Sequence, residues 1–152
     1  MRYKTHIVTS LTAGFALMEV TPLPLSVMLG VGILIGSTLP DIDEPESYIG
    51  RRTLGVSNVI KAMFGHRGFT HSLLATLLVA IPYFIFHHLF FLGIALGYLF
   101  HIVGDMLSVT GVPLFHPFSK KKVAIPLYKT GGIREHILLG LSVIAFIYLL
   151  IY

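Results

Sequence analysis

Long apolar stretches separated by short polar segments dominate this chain of 152 residues. The stretches leave too little polar sequence between them to solvate a soluble bundle. The pattern therefore predicts an all-α, polytopic transmembrane helical bundle that forms a single domain over residues 1–152. We expect about five spans, although several stretches are shorter than the roughly 20 residues that cross a bilayer. The five stretches are residues 7–20, 25–39, 72–86, 89–107 and 137–151.

The composition agrees with a location in a membrane. Hydrophobic residues make up 55% of the chain and charged residues 12%, with a mean hydropathy of +0.83, whereas soluble domains carry about 25% charged residues.

The basic residues before the first apolar stretch resemble the start of a signal peptide. However, Glu19 interrupts the run and no small-residue cleavage site leads into a more soluble sequence, so we interpret it as a span. The chain contains no Cys, which excludes thiolate metal sites and disulfides.

The basic residues indicate which side of the membrane each connection faces. With the N-terminus in the cytoplasm, all 11 Lys and Arg residues fall on the inside, at the N-terminus and in the loops at 40–70 and 108–135. The positive-inside rule then predicts a multi-pass protein of a bacterial or archaeal cell membrane, with its C-terminus outside. Because the basic residues follow the topology, we expect no nucleic-acid partner. The Lys triplet at 120–122 suits anionic lipid head groups.

The same topology brings His and Asp side chains to one depth at the cytoplasmic end of the predicted helices. His101 and Asp105 are four residues apart on one helix, so they share a face and can reach one ion or two adjacent ions. An Asp in an apolar helix is costly unless it is paired or bound to metal. The alternative is a His–Asp hydrogen bond that pins helices together. The candidate metal ligands at this depth are His6, Asp41, Asp43, His71, His101 and Asp105.

Asp41 and Asp43 follow a proline at the end of the second stretch. Alternate residues of an extended turn can direct two carboxylates towards the same cation or neighbouring cations. The alternative is a solvated turn at the end of a helix. Of the two, Asp41 is favoured as a ligand because it lies closer to the apolar segment.

The densest polar motif is the run HRGFTHS at residues 66–72. Arg67 could hold a phosphate or carboxylate in a bidentate way, and Thr70 or Ser72 could cap the next helix. His66 is a candidate general acid or base. Glu135 is another candidate, although it could instead cap the N-terminus of the last helix.

The order of these motifs resembles that of the membrane-bound metal-dependent hydrolases of bacteria and archaea. The motifs are His6, LPDID at 39–43, HRGFTHS at 66–72, the His101–Asp105 pair and GVP at 111–113. There is a more distant similarity to zinc-dependent phospholipase C. By position, that similarity implies five metal ligands: His6, Asp41, His71, His101 and Asp105. The phospholipase site also uses an N-terminal amine, whereas Met1 here lies several residues before His6, so we expect one or two divalent ions rather than three. Histidine-rich ligation favours zinc, while the carboxylates leave manganese or magnesium open.

The expected function is hydrolysis of a phosphoester in a lipid-type substrate, by a metal-activated water at the cytoplasmic membrane surface. His66, Arg67 and Glu135 are the candidate catalytic residues. The alternative is a non-enzymatic, metal-stabilised membrane protein or a small transporter component. An ion path would place polar residues through the full depth of the bilayer, whereas the outer halves of the stretches are apolar apart from Glu19.

Overall fold

A computed structural model of the protein describes residues 1–151, in which six α-helices are joined by 3₁₀ turns and loops. The α-helices are α1 (Tyr3–Val20), α2 (Val27–Gly36), α3 (Val56–Phe64), α4 (Leu73–Phe86), α5 (Leu89–Met106) and α6 (Ile133–Ile151). The 3₁₀ helices are Leu39–Asp43, Gly50–Arg52 and Phe69–His71. Residues 1–151 contain two isolated β-bridges and no β-strand, so the predicted all-α class is confirmed.

Each of the five predicted apolar stretches forms a helix, and the ends of the helices follow local chemistry. The Ser72 hydroxyl accepts the backbone N–H of Ala75 at 3.1 Å and caps the start of α4. Such a cap satisfies one of the donors that a helix leaves unpaired at its N-terminus. The prediction that Thr70 or Ser72 caps this helix is thus confirmed for Ser72.

The predicted number of spans is not confirmed. Among residues 1–151, α5 and α6 are long and apolar enough to cross a membrane, while α4 is apolar but has only 14 residues. The 10 residues of α2 rise about 15 Å, half of the roughly 30 Å hydrocarbon core. The 18 residues of α1 have the length, but Lys4, His6 and Glu19 reduce its hydropathy. The apolar stretches therefore predicted the helices correctly, but they overestimated how many helices are long and apolar enough to cross a membrane.

Helices α2 and α5 form the centre of the bundle through direct backbone contact. A Cβ added at Gly32 or Gly36 would collide with the backbone of α5, and one added at Gly93 or Gly97 would collide with the backbone of α2. Small residues spaced four apart allow membrane helices to approach this closely. Helix α4 packs against α5, and α1 packs against both α5 and α6. Helix α5 is therefore held from several sides.

Candidate metal centre

Four segments of the chain meet at one end of the bundle. They are the start of α1, the 3₁₀ helix after α2, the 3₁₀ helix before α4 and the last turns of α5. Three histidines and two aspartates are fully buried there: His6, His71, His101, Asp43 and Asp105. The structure brings together the five residues that the phospholipase similarity implies: His6, Asp41, His71, His101 and Asp105. We call these five residues the His/Asp cluster.

The spacing of atoms inside the His/Asp cluster differs from that of ordinary hydrogen bonds. Oδ1 of Asp41 lies 3.7 Å from Nε2 of His71 and 3.6 Å from Nε2 of His101. Oδ2 of Asp105 lies 3.5 Å from Nε2 of His71. Hydrogen bonds between such atoms are about 2.7–3.2 Å long. Two ligands on one tetrahedral zinc, each bonded at roughly 2.0–2.1 Å, lie about 3.4 Å apart, so the spacing matches atoms that share an ion.

Several nitrogens in the cluster are buried without hydrogen bonds. Within residues 1–151, both ring nitrogens of His6 and Nε2 of His71 and His101 have no hydrogen-bond partner. A buried polar atom without a partner costs about 1–3 kcal/mol, and coordination of a metal would compensate for it. Two sets of ligand atoms lie close enough to hold an ion: His6, Asp41 and His101, and His71, His101 and Asp105. His101 belongs to both sets.

The tautomer of His101 follows from its contact with α2. Nδ1 of His101 lies 2.7 Å from the carbonyl oxygen of Ser37. Because a carbonyl only accepts, Nδ1 carries the proton and Nε2 presents its lone pair to the cluster. The His6 and His101 rings stack with centroids 3.6 Å apart. The contact with Ser37 is the kind of second partner that orients metal-ligating histidines.

Asp43 does not lie beside Asp41 as the extended-turn interpretation implied. LPDID forms a 3₁₀ helix, which has three residues per turn, so side chains two positions apart point in different directions. Asp41 points into the cluster, whereas Oδ2 of Asp43 lies 3.2 Å from Nδ1 of His71 on the far side of that ring. Asp43 belongs to neither set of atoms that could hold an ion.

Asp43 is instead the centre of a hydrogen-bond network. It accepts the Arg67 backbone N–H at 2.9 Å and the Thr70 hydroxyl, and its Oδ1 lies 3.1 Å from Nδ1 of His66. Burial by itself raises the pKa of this carboxyl, but the hydrogen bonds from His66, His71 and Thr70 outweigh it. They hold the pKa of Asp43 well below its usual range.

The surroundings of His71 raise its pKa, whereas those of Asp43 lower the pKa of that carboxyl. Burial lowers the pKa of this imidazole, but the carboxylates of Asp41, Asp43 and Asp105 around the ring favour the charged form. Together they raise the pKa of His71 to about 9. A ligand in this position releases a proton when it binds an ion.

The three candidate catalytic residues have different surroundings. Arg67 forms an ion pair with Asp105, with Nη2 2.8 Å from Oδ2, and is mostly buried. His66 is 40% exposed. Glu135 is buried and accepts the backbone N–H groups of Arg2 at 2.6 Å and of Gly131 at 2.5 Å. Because both its carboxylate oxygens are occupied by backbone groups, the arrangement favours the capping role for Glu135.

A cavity of about 540 Å³ opens beside the cluster. Basic and acidic side chains both line it, including Arg2, Lys4, Asp41, Glu44, His66 and Arg67. The cavity is large enough for a charged head group with water around it.

Two polar contacts at this end of the bundle were not predicted from the sequence. The α-amino group of Met1 lies 2.7 Å from Oδ1 of Asp105 and is buried. Thr110 contacts the Arg67 guanidinium. No local motif marks Met1. Thr110 lies five residues after Asp105, so its closeness in sequence to the His101–Asp105 pair is the signal that could have indicated it.

Comparison with known proteins identifies the family. The model of the YdjM inner membrane protein family matches residues 1–152. The chain belongs to this family. It is therefore a membrane protein, as its composition predicted.

Bacterial relatives agree with this assignment. The inner membrane protein YdjM of Escherichia coli K12 is 49% identical over 86 residues, which cover 52% of this chain and 44% of that protein. The matched region thus spans less than half of that relative. The uncharacterized protein YvsG of Bacillus subtilis 168 is 34% identical over 146 residues, which cover 92% of this chain and 88% of YvsG. No solved structure matches the chain.

Proposed function

We propose that this member of the YdjM family is a metal-dependent hydrolase that cleaves a phosphoester of a lipid-type substrate at the cytoplasmic surface of the membrane. The observation that carries the proposal is the His/Asp cluster. Both ring nitrogens of His6 and Nε2 of His71 and His101 have no hydrogen-bond partner among residues 1–151. Nε2 of His71 and of His101 lies 3.5–3.8 Å from the carboxylates of Asp41 and Asp105, close to the spacing expected of ligands to a shared ion. The distribution of basic residues supports a multi-pass arrangement in which the cluster faces the cytoplasm.

The donor set suits one or two divalent ions. His6, Asp41 and His101 would hold one ion, and His71, His101 and Asp105 the other. Imidazole nitrogens with a few carboxylate oxygens favour zinc, with manganese or magnesium as alternatives. A bound ion would supply the Lewis acidity that activates a water and offsets charge on a phosphoryl oxygen.

His66 has the surroundings of a proton carrier. Its Nδ1 is held by Asp43 at 3.1 Å, and the ring is partly exposed where it lines the cavity. A carboxylate on one nitrogen orients the ring and leaves the other nitrogen free to take a proton from water or to give one to a leaving group. His66 is the proposed acid or base, and Glu135, fixed by backbone hydrogen bonds, is a weaker candidate.

The cavity has cationic groups suited to an anionic substrate. Arg67, Arg2 and Lys4 line it next to Asp41. Arg67 is already fixed by Asp105 and Thr110, so it presents a positioned charge rather than a mobile one. A phosphoryl group entering the cavity would meet these cations and the His/Asp cluster together.

The test is a lipid screen with the full chain in nanodiscs, loaded with zinc or manganese, and products identified by mass spectrometry. We expect a phospholipid or polyprenyl phosphate to be cleaved. Asp105→Ala and Asp41→Ala should abolish turnover while the protein still inserts. Glu19→Gln, far from the cluster, should retain full activity. Complete metal occupancy without cleavage in the broad screen would contradict the proposal.

The alternative of a metal-stabilised protein without catalysis predicts a different result. Removal of the metal would then lower thermal stability, but no substrate would be turned over. A transporter component would give metal flux into liposomes, which a hydrolase would not. Measuring flux and thermal stability on the same preparation separates the three functions.

A further inference from the structure

Helix α3 carries an apolar stripe that no other described part of the chain covers. Val56, Val59 and Met63 are 51%, 58% and 68% exposed. Their spacing of three and four residues places them on one face of the helix. Leu54, in the turn just before α3, is 99% exposed. Contact of such a surface with water is unfavourable.

The other faces of α3 either pack against the protein or carry polar side chains. Ser57 is buried against the protein, and Lys61 reaches Glu44, with Nζ 2.8 Å from Oε1. Asn58 is exposed on the side away from the stripe. The helix therefore rests on the protein with one side and presents a polar and an apolar side outwards.

Two aromatic rings connect the end of α3 with exposed apolar surface on α4. The rings of Phe64, at the end of α3, and Phe69 have centroids 5.4 Å apart. Phe69 lies in the 3₁₀ helix that leads into α4, where Leu73 and Leu77 are 44% and 59% exposed. Because the protein belongs to an inner membrane family, lipid is the occupant that fits exposed apolar side chains on α4. Through Phe64 and Phe69 the same surface extends to α3.

We propose that α3 lies in the membrane interface with Val56, Val59 and Met63 immersed among the acyl chains of the lipid. An amphipathic helix of this kind lies in the plane of the interface with its apolar face about 5–10 Å deep. Because α3 ends two residues before His66, its immersion fixes the entrance of the cavity at head-group depth. The inference concerns lipid contact and holds whether or not the protein is a hydrolase.

The chain has no Trp, which permits a direct test with single reporters. Met63→Trp and Asn58→Trp place one Trp on the apolar stripe or on the exposed polar side of the same helix. Each full-length variant is reconstituted in phosphatidylethanolamine–phosphatidylglycerol vesicles, with and without lipids brominated on their acyl chains. Val59→Trp repeats the measurement if Met63→Trp fails to fold.

We expect blue-shifted emission and loss of most of the fluorescence for Met63→Trp in brominated lipid. Asn58→Trp should show water-exposed emission and little quenching. Water-exposed emission without quenching at position 63 would overturn the proposal. Blue-shifted emission that bromine does not quench, and that reverts as the protein is diluted in lipid, would show that a second copy of the chain covers the stripe, which also overturns it.

Discussion

Oδ2 of Asp43 lies 3.2 Å from Nδ1 of His71 on the buried side of the His/Asp cluster. The same carboxylate reaches Nδ1 of His66 at 3.1 Å through its other oxygen. One side chain therefore orients a proposed metal ligand and the proposed acid or base together. Carboxylates in this position fix the ring orientation of metal-ligating histidines and raise their basicity.

Replacing Asp43 should weaken metal binding without removing a ligand. For Asp43→Asn we expect a loss of affinity of about 10–100-fold, the range found when such outer partners are changed. Isothermal titration calorimetry of the purified, metal-stripped protein measures it. Glu46→Gln is the matched control, since Glu46 is 82% exposed and forms an ion pair with Arg51. Unchanged affinity in Asp43→Asn would contradict the positioning role.

The two overlapping ligand sets predict a graded loss of metal. If two ions bind, His101→Ala removes a ligand of both and should leave the protein nearly free of metal. His6→Ala and His71→Ala each remove a ligand of one set, so each should retain about one ion. Elemental analysis of the purified variants beside the wild type gives the ratio directly.

The same measurement can refute the metal centre. A wild-type protein without bound transition metal, purified without chelators and then dialysed against zinc, would exclude it. Equal metal content in wild type and His101→Ala would show that the ion binds elsewhere. His88→Ala is the control, because His88 lies in the connection between α4 and α5, away from the cluster.

The helices and the convergence of polar residues could be predicted because both depend on the order of apolar and polar segments. His6 near the start of one helix and His101 near the end of another must lie at the same end of the bundle if the helices alternate in direction. The structure brings these rings into a stack. The closeness of His6 and His101 could therefore be predicted from the order and direction of the helices alone.

The role of Asp43 and the number of spans required information that the pattern lacks. The sequence does not distinguish an extended turn from the 3₁₀ helix that separates Asp41 from Asp43. The apolar stretch at 25–39 contains only 10 α-helical residues, since α2 ends at Gly36 and a 3₁₀ helix begins at Leu39. The 3₁₀ turn at Asp41–Asp43 and the end of α2 both depend on local hydrogen bonds, which a hydropathy pattern does not report.

Metal affinity should rise with pH. The ring of His71 faces Asp43 at Nδ1 and both Asp41 and Asp105 at Nε2, with the His101 ring 5.3 Å away. Burial opposes the charged form, but the carboxylates raise the pKa of His71 to about 9. Below that pH the metal-free ring holds a proton that an incoming ion must displace, so affinity increases by about tenfold per pH unit and levels off above the pKa.

Calorimetry in buffers with different ionisation enthalpies checks this by counting the protons released on binding. We expect at least one proton at neutral pH in the wild type and fewer in His71→Ala. An affinity that stays constant from acidic pH to about 9, with full loading, would contradict the assignment of His71 as a ligand.

Backbone contact between α2 and α5 predicts opposite effects for two glycines of the same helix. A Cβ at Gly36 would collide with the backbone of Ile94, whereas one at Gly30 meets nothing within 4 Å. Gly36→Ala should therefore destabilise the bundle by about 1–3 kcal/mol, as overpacking does. Gly30→Ala should be neutral or stabilise the bundle by up to about 1 kcal/mol, since Ala favours helix more than Gly.

Because α5 carries His101 and Asp105, Gly36→Ala should also weaken metal binding, and Gly30→Ala should not. Thermal unfolding in detergent, followed by circular dichroism with and without zinc, measures both effects, and equal stability of the two variants would refute the close approach of α2 and α5.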